Sequence, residues 1–149
     1  MGKAKVFKSK FTSKLTCDIP VGGKILWLTR PLIFWDKNGK KYVVPAGEWA
    51  NGASFDADRK RLKWWGRFVM FCVGPPLGDF WVWASVLHDY YCRVGESLGM
   101  SSIEVHDLFY ESMLVCISMM DLTEKQRKKK EKTARLFHRC VLRYGPKWE

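Results

Sequence analysis

The sequence predicts an α+β fold: a small N-terminal antiparallel sheet with a hairpin, followed by about three C-terminal helices. Three observations predict it. Residues 25–44 gather β-branched and aromatic side chains into short runs divided by a hairpin signal. From residue 79 onward apolar side chains recur at helical spacing, and two capping-box spacings mark helix starts there.

The elements follow in chain order. Residues 1–24 read as a basic lead-in, with Lys3, Lys5, Lys8, Lys10 and Lys14, that ends in turn chemistry at Pro20 and Gly22-Gly23. Ile25–Leu28 and Leu32–Trp35 suit a pleated, half-buried surface. Asp36-Lys37-Asn38-Gly39 predicts a type I′ hairpin turn, because Asn and Gly tolerate positive φ, and Tyr42–Val44 is the returning strand. The β-rich part, 25–55, closes with Pro45-Ala46-Gly47 and a loop at Asn51-Gly52-Ala53-Ser54. Asp56–Lys63 is highly charged, Trp64–Val73 is apolar again, and Gly74-Pro75-Pro76-Leu77-Gly78 breaks the chain.

The helical part is expected over 79–144. Asp79 N-caps a first helix at about 80–93, with Gly95 as its stop. Ser101 with Glu104 forms a capping-box spacing and Met100 with Val105 a hydrophobic staple, starting a second helix that runs to about 119. Thr123 with Gln126 starts a third, which runs to about 144 before Gly145-Pro146. No repeat or low-complexity linker divides residues 1–149, so they read as a single domain.

Composition bounds what such a domain can do. With 149 residues, 47% hydrophobic and 15% aromatic, the chain can bury a core and is too apolar for disorder. Lys and Arg number 26 against 15 acidic residues, a net of +11 that draws the protein toward nucleic acid, an anionic membrane or an acidic protein face. The five cysteines, Cys17, Cys72, Cys92, Cys116 and Cys140, show no C-x-x-C spacing and read as reduced core thiols rather than a disulfide scaffold or zinc knuckle. Residues 1–14 lack the apolar stretch of a signal peptide, and no run approaches the ~18 apolar residues that span a bilayer. Synthesis in the cytosol is the expectation, with export only by lysis or inside a particle.

Chemistry is expected on the first two helices. Ser85, His88, Tyr91 and Cys92 share one face of the first, and Asp89 is turned about a hundred degrees from His88. On the second, Val105, Leu108, Ser112, Val115, Cys116 and Met119 form an apolar stripe, and Asp107, Tyr110, Glu111 and Leu114 the adjacent one. The short connection makes the helices antiparallel neighbours, with His88 and Asp107 at about the same level. A carboxylate on one imidazole nitrogen makes the other a better base, so His88 and Asp107 are the candidate catalytic dyad. Asp89 is the candidate ligand for a hard cation such as Ca2+, helped by carbonyls of the Gly74–Gly78 loop. The plain alternative is a histidine satisfied by one hydrogen bond between two structural helices.

Several separated motifs also carry a resemblance. Val44-Pro45-Ala46-Gly47, Asn51-Gly52-Ala53-Ser54, Gly74-Pro75-Pro76-Leu77-Gly78, Leu87-His88-Asp89-Tyr90, His106-Asp107-Leu108-Phe109 and Met113 together resemble domain-of-unknown-function family 1353 of tailed phages and prophages, over roughly 25–148. The resemblance implies a phage origin, and for a phage protein of this size the expectation is synthesis in the host cytoplasm, a place in or near the virion and virion proteins as partners. It implies no activity. The family carries Asp where this chain has Asn51, and an aromatic residue where it has Cys92. The Gly-rich loop, His-Asp helix and facing Asp are similar to phospholipase A2. That similarity implies His88 as base, Asp89 as calcium ligand, Asp107 as orienter, Gly74 and Gly78 in the loop and Tyr90 and Tyr91 in support. It would make the chain a calcium-dependent, phospholipase-like esterase acting at the host envelope.

Two further readings compete. His88-Asp89 and His106-Asp107 invite comparison with HD-type phosphohydrolases, which need a further upstream His that does not precede His88. The last helix crowds Lys125, Arg127, Lys128, Lys129, Lys130 and Lys132 at its start and sets Leu136, Phe137, Cys140, Val141 and Tyr144 in an apolar stripe. Such a helix binds nucleic acid or an anionic lipid surface, or is simply a solvated charged face. No base-reading motif accompanies it. A non-catalytic virion structural or adaptor protein is the alternative to an enzyme.

Overall fold

The computed structural model describes residues 8–18, 25–50 and 82–148. The loop at Asn51–Ser54, the breaker at Gly74–Gly78, the Asp79 cap, Cys72, Lys3 and Lys5 lie outside them. Within them the fold is α+β, as the sequence predicts: short antiparallel strands first, then three helices.

Six strands form two three-stranded sheets. Strands β1 (Lys10–Phe11), β4 (Leu32–Trp35) and β5 (Lys41–Val44) make one, in the order β1-β4-β5. Strands β2 (Cys17–Asp18), β3 (Leu26–Leu28) and β6 (Trp49–Ala50) make the other, in the order β2-β3-β6. Every pairing is antiparallel. The alternation that marked the strands has its physical counterpart. Leu26, Leu28, Leu32, Phe34, Tyr42 and Val44 point into the core, and Trp27 and Lys41 point out.

The β4–β5 hairpin forms where expected, pairing Leu32 with Val44 and Trp35 with Lys41. Its turn is not type I′, which needs positive φ at two residues. Gly39 has φ 79°, and no other residue type has a positive φ among the described residues. The buried Asp36 supplies the missing order: its Oδ1 accepts from the backbone N–H of Asn38 and of Lys40, each at 2.8 Å. The lead-in is also more than a charged tail. Phe11 of β1 packs its ring 4.8 Å from Phe34 and 5.2 Å from Trp83, anchoring the first sheet to the helices.

The helices are α1 (Val82–Val94), α2 (Ser102–Ser118) and α3 (Glu124–Tyr144), with a 3-10 turn at Glu96–Leu98 after α1. Both capping boxes are complete, with Ser101 and Glu104 opening α2 and Thr123 and Gln126 opening α3. Helix α1 lies between the sheets and α2, so seven of its residues, Ala84 to Asp89 and Tyr91, are buried. Helix α2 packs against α1 on one side and α3 on the other. It therefore buries His106, Phe109, Met113 and Ile117 beyond the expected stripe, while Met119 of that stripe is exposed. On α3 the buried set is Ala134, Phe137, Cys140 and Val141, and Leu136 turns to solvent. No described helix is long and apolar enough to cross a membrane.

Candidate functional site

His88 sits midway along α1, on the side facing α2, and its side chain is almost fully buried. Its Nε2 lies 3.0 Å from Nδ1 of His106 on α2 and 3.4 Å from the thiol of Cys92, one turn further along α1. The ring of Phe109 stacks on it at 4.3 Å, inclined by 22°. This is a buried, aromatic-walled position beside the half-buried Cys92. Burial, helped by the second imidazole, drives the His88 pKa down to about 3, so the ring is neutral at physiological pH.

His106 is positioned from its far side. Its Nε2–H donates to the Pro146 carbonyl at 3.0 Å, which leaves Nδ1 as a lone pair aimed at His88. Burial lowers its pKa as well. The chain after α3 packs against this ring: a Cβ built on Gly145 would stand 3.0 Å from His106 Cε1 and 2.4 Å from the Val141 carbonyl oxygen. Only a hydrogen fits there. The Trp148 indole N–H then donates to the Met100 carbonyl at 2.7 Å, closing the C-terminal segment over the α1–α2 turn.

The expected His88–Asp107 dyad is not formed. Asp107 follows His106 by one residue, a rotation of about a hundred degrees, so its carboxylate points to solvent and toward α3. There Oδ1 accepts from His138 Nε2 at 2.8 Å, and Tyr110 stacks on His138 at 4.8 Å. A histidine–aspartate couple does exist, then, but on His138 rather than His88, where it joins α2 to α3. Asp107, Tyr110 and Glu111 border an open cleft of about 470 Å³ with Lys8, Ser9 and Lys37. Glu111 gathers the N-terminal segment and the hairpin onto α2 by accepting from the Ser9 hydroxyl and the Lys37 backbone.

The supporting residues divide in the same way. Tyr91, expected beside His88, turns to the first sheet: its hydroxyl accepts from the Val43 N–H at 3.1 Å and lies 3.3 Å from the Val43 carbonyl. Tyr90 meets Tyr91 edge-on at 5.1 Å and lies under the Arg93 guanidinium. Asp89 is buried. Gly74 and Gly78 lie outside the described residues. Among the described residues, the acidic, thiol and imidazole groups close enough to share one metal ion are His88, Cys92 and His106. Two nitrogens and a sulfur are not the oxygen cage that calcium takes.

A second surface is defined by charge. Lys125, Lys128, Lys129 and Lys132 lie at i, i+3, i+4 and i+7 and are all exposed, one basic stripe on α3. Arg127 and Lys130 flank it, half-buried. No residue of α3 before Ala134 is buried. The lysine stripe lines an open groove together with Glu124 and Gln126, and Glu124 offsets Lys128 by a 2.8 Å ion pair that solvent largely screens.

The chain matches no family model, no curated protein and no solved structure.

Proposed function

We propose that the chain is a non-catalytic accessory protein that binds the phosphate backbone of nucleic acid through the start of its last helix. The observation that carries this is the α3 lysine stripe: Lys125, Lys128, Lys129 and Lys132 on one exposed face, spanning about 10 Å of helix axis. Phosphate contacts of this kind give affinity without sequence preference, in keeping with the lack of a base-reading motif.

The alternative polyanion, an anionic lipid surface, fits less well. Helices that lie on lipid insert an apolar face, and residues 124–133 contain no large apolar side chain. The apolar residues of α3 come later, and Ala134, Phe137, Cys140 and Val141 are turned inward, leaving the isolated Leu136 exposed. The hydrolase expectation has less support again, because a general base must reach a substrate proton and His88 is enclosed by His106, Cys92 and Phe109. The motif resemblance to the tailed-phage family supports a phage origin, and virion proteins are the partners proposed for a protein of that origin.

The test is a salt titration of purified protein binding a duplex of arbitrary sequence, alongside anionic vesicles. The expected result is salt-sensitive duplex binding with little vesicle binding, weakened in the variant with Lys125, Lys128, Lys129 and Lys132 all changed to Gln. The slope of log affinity against log salt should flatten by up to ~0.9 for each phosphate contact removed. No duplex binding, an unchanged slope in the variant, or a preference for vesicles would overturn the proposal.

A further inference from the structure

We infer that His88, Cys92 and His106 form a binding site for a borderline-to-soft transition-metal ion of the zinc class, joining α1 to α2. The reading is independent of the lysine stripe. The three donor atoms, His88 Nε2, Cys92 Sγ and His106 Nδ1, all lie within 4.8 Å of one another. The nitrogens are 3.0 Å apart, and sulfur and the His88 nitrogen 3.4 Å. A tetrahedral ion with metal–nitrogen bonds of ~2.0 Å and a metal–sulfur bond of ~2.3 Å needs edges of roughly 3.3 and 3.5 Å. Seating the ion opens the two edges at His88 by a few tenths of an ångström, while the sulfur-to-His106 edge, within 4.8 Å, settles to about 3.5 Å.

Three features arrange the ligands beforehand. His88 and Cys92 are spaced i, i+4 on one helix, which sets imidazole and thiol side by side. The Pro146 carbonyl holds the His106 proton on Nε2, the outer-sphere contact that leaves a ligating nitrogen unprotonated and aimed. Phe109 stacked on His88, and the backbone of Gly145 against His106, fix both rings. Without metal, a single proton holds the same geometry, with His88 Nε2–H donating to His106 Nδ1. On binding, His88 carries its proton on Nδ1, the Cys92 thiol loses its proton to solvent, and the ion gains two neutral imidazoles and one thiolate. Three protein ligands leave the fourth position to a solvent oxygen. The donor types favour zinc, cobalt or copper over magnesium or calcium.

The test uses the full chain, reduced, with Zn2+ or Co2+ as probe. Equilibrium dialysis should show one ion per chain, and the Co2+ form should show the visible bands of a tetrahedral ion with a sulfur-to-cobalt charge-transfer band in the near ultraviolet. Cys92→Ser and His106→Gln should each weaken binding by roughly a hundredfold or more, and Cys92→Ser should remove the sulfur band. Asp107→Asn, outside the trio, should leave both unchanged. Near-ultraviolet circular dichroism of the metal-free variants establishes that they are folded, and the wild-type cobalt spectrum decides the matter without any variant. A wild-type chain that binds neither ion, a cobalt spectrum without the sulfur band, or affinity unchanged in folded Cys92→Ser and His106→Gln would overturn the inference.

Discussion

His88 Nε2 faces His106 Nδ1 at 3.0 Å across the α1–α2 interface, while Asp107, the next residue, turns away to bond His138. That one-residue difference decides which chemistry the helix pair can support. A carboxylate on His88 would have made its imidazole a stronger base. A second imidazole, a thiol and an aromatic wall make instead a neutral, enclosed cluster with the donor set of a transition-metal site.

The buried imidazoles make stability depend on pH. The unfolded chain protonates His88 near its ordinary value of 6.5, whereas the folded chain resists until about 3. Between those values the unfolded state holds more protons, so stability falls as pH drops below 6.5. His88 alone should cost on the order of 1 kcal/mol between pH 7.5 and 5.5, and His106, shifted in the same direction, adds to it. Urea unfolding at the two pH values measures this. Equal stabilities would contradict the burial of the pair.

Gly145→Ala should destabilise the fold by about 1–3 kcal/mol, the usual cost of forcing atoms into filled space. The added carbon meets the Val141 carbonyl, which is backbone and cannot swing aside, and the His106 ring, which its bond to Pro146 holds in place. The glycine's φ of −66° suits any residue, so the effect is one of space alone. A melting temperature unchanged from wild type would show that the C-terminal segment does not press on His106.

The two capping boxes should respond differently to removal. Ser101→Ala should cost about 1 kcal/mol of global stability, because the first turn of α2 carries the buried Ser102 and Val105. Thr123→Ala should instead fray the start of α3, where nothing is buried before Ala134, with little change in the global unfolding midpoint. Hydrogen exchange resolved by residue distinguishes the two outcomes. Equal global losses would mean that the lysine stripe is tied to the body of the protein.

Much of this fold was legible in the sequence, for reasons tied to particular residues. The helix starts were readable because Ser101 with Glu104 and Thr123 with Gln126 satisfy orphan backbone groups locally, whatever packs around them. The hairpin was readable from its alternation, but its turn type was not, because Asp36 rather than Asn38 organises it. Strands β1, β2 and β6 are two residues each, too short to show a period, and exist only through their partners. At the site, counting from the turn placed His88 at the right level of α2 but could not set the rotation of that helix. The signal was there: Ser102, Phe109 and Met113 stand at i−4, i+3 and i+7 from His106, a second apolar stripe that a helix packed on two sides must bury. Cys92 stood on the His88 face by its spacing, and its meaning came only with the partner from α2.

A pair of double-mutant cycles in urea tests most directly the contact of His88 with His106. His88→Leu combined with His106→Leu should show a coupling energy of about 1 kcal/mol or more, the size expected of contacting residues. His88→Leu combined with Asp107→Asn should be additive to within about 0.5 kcal/mol, because the two side chains bond different partners, His106 and His138. Strong coupling of His88 to Asp107 with none to His106 would contradict that contact.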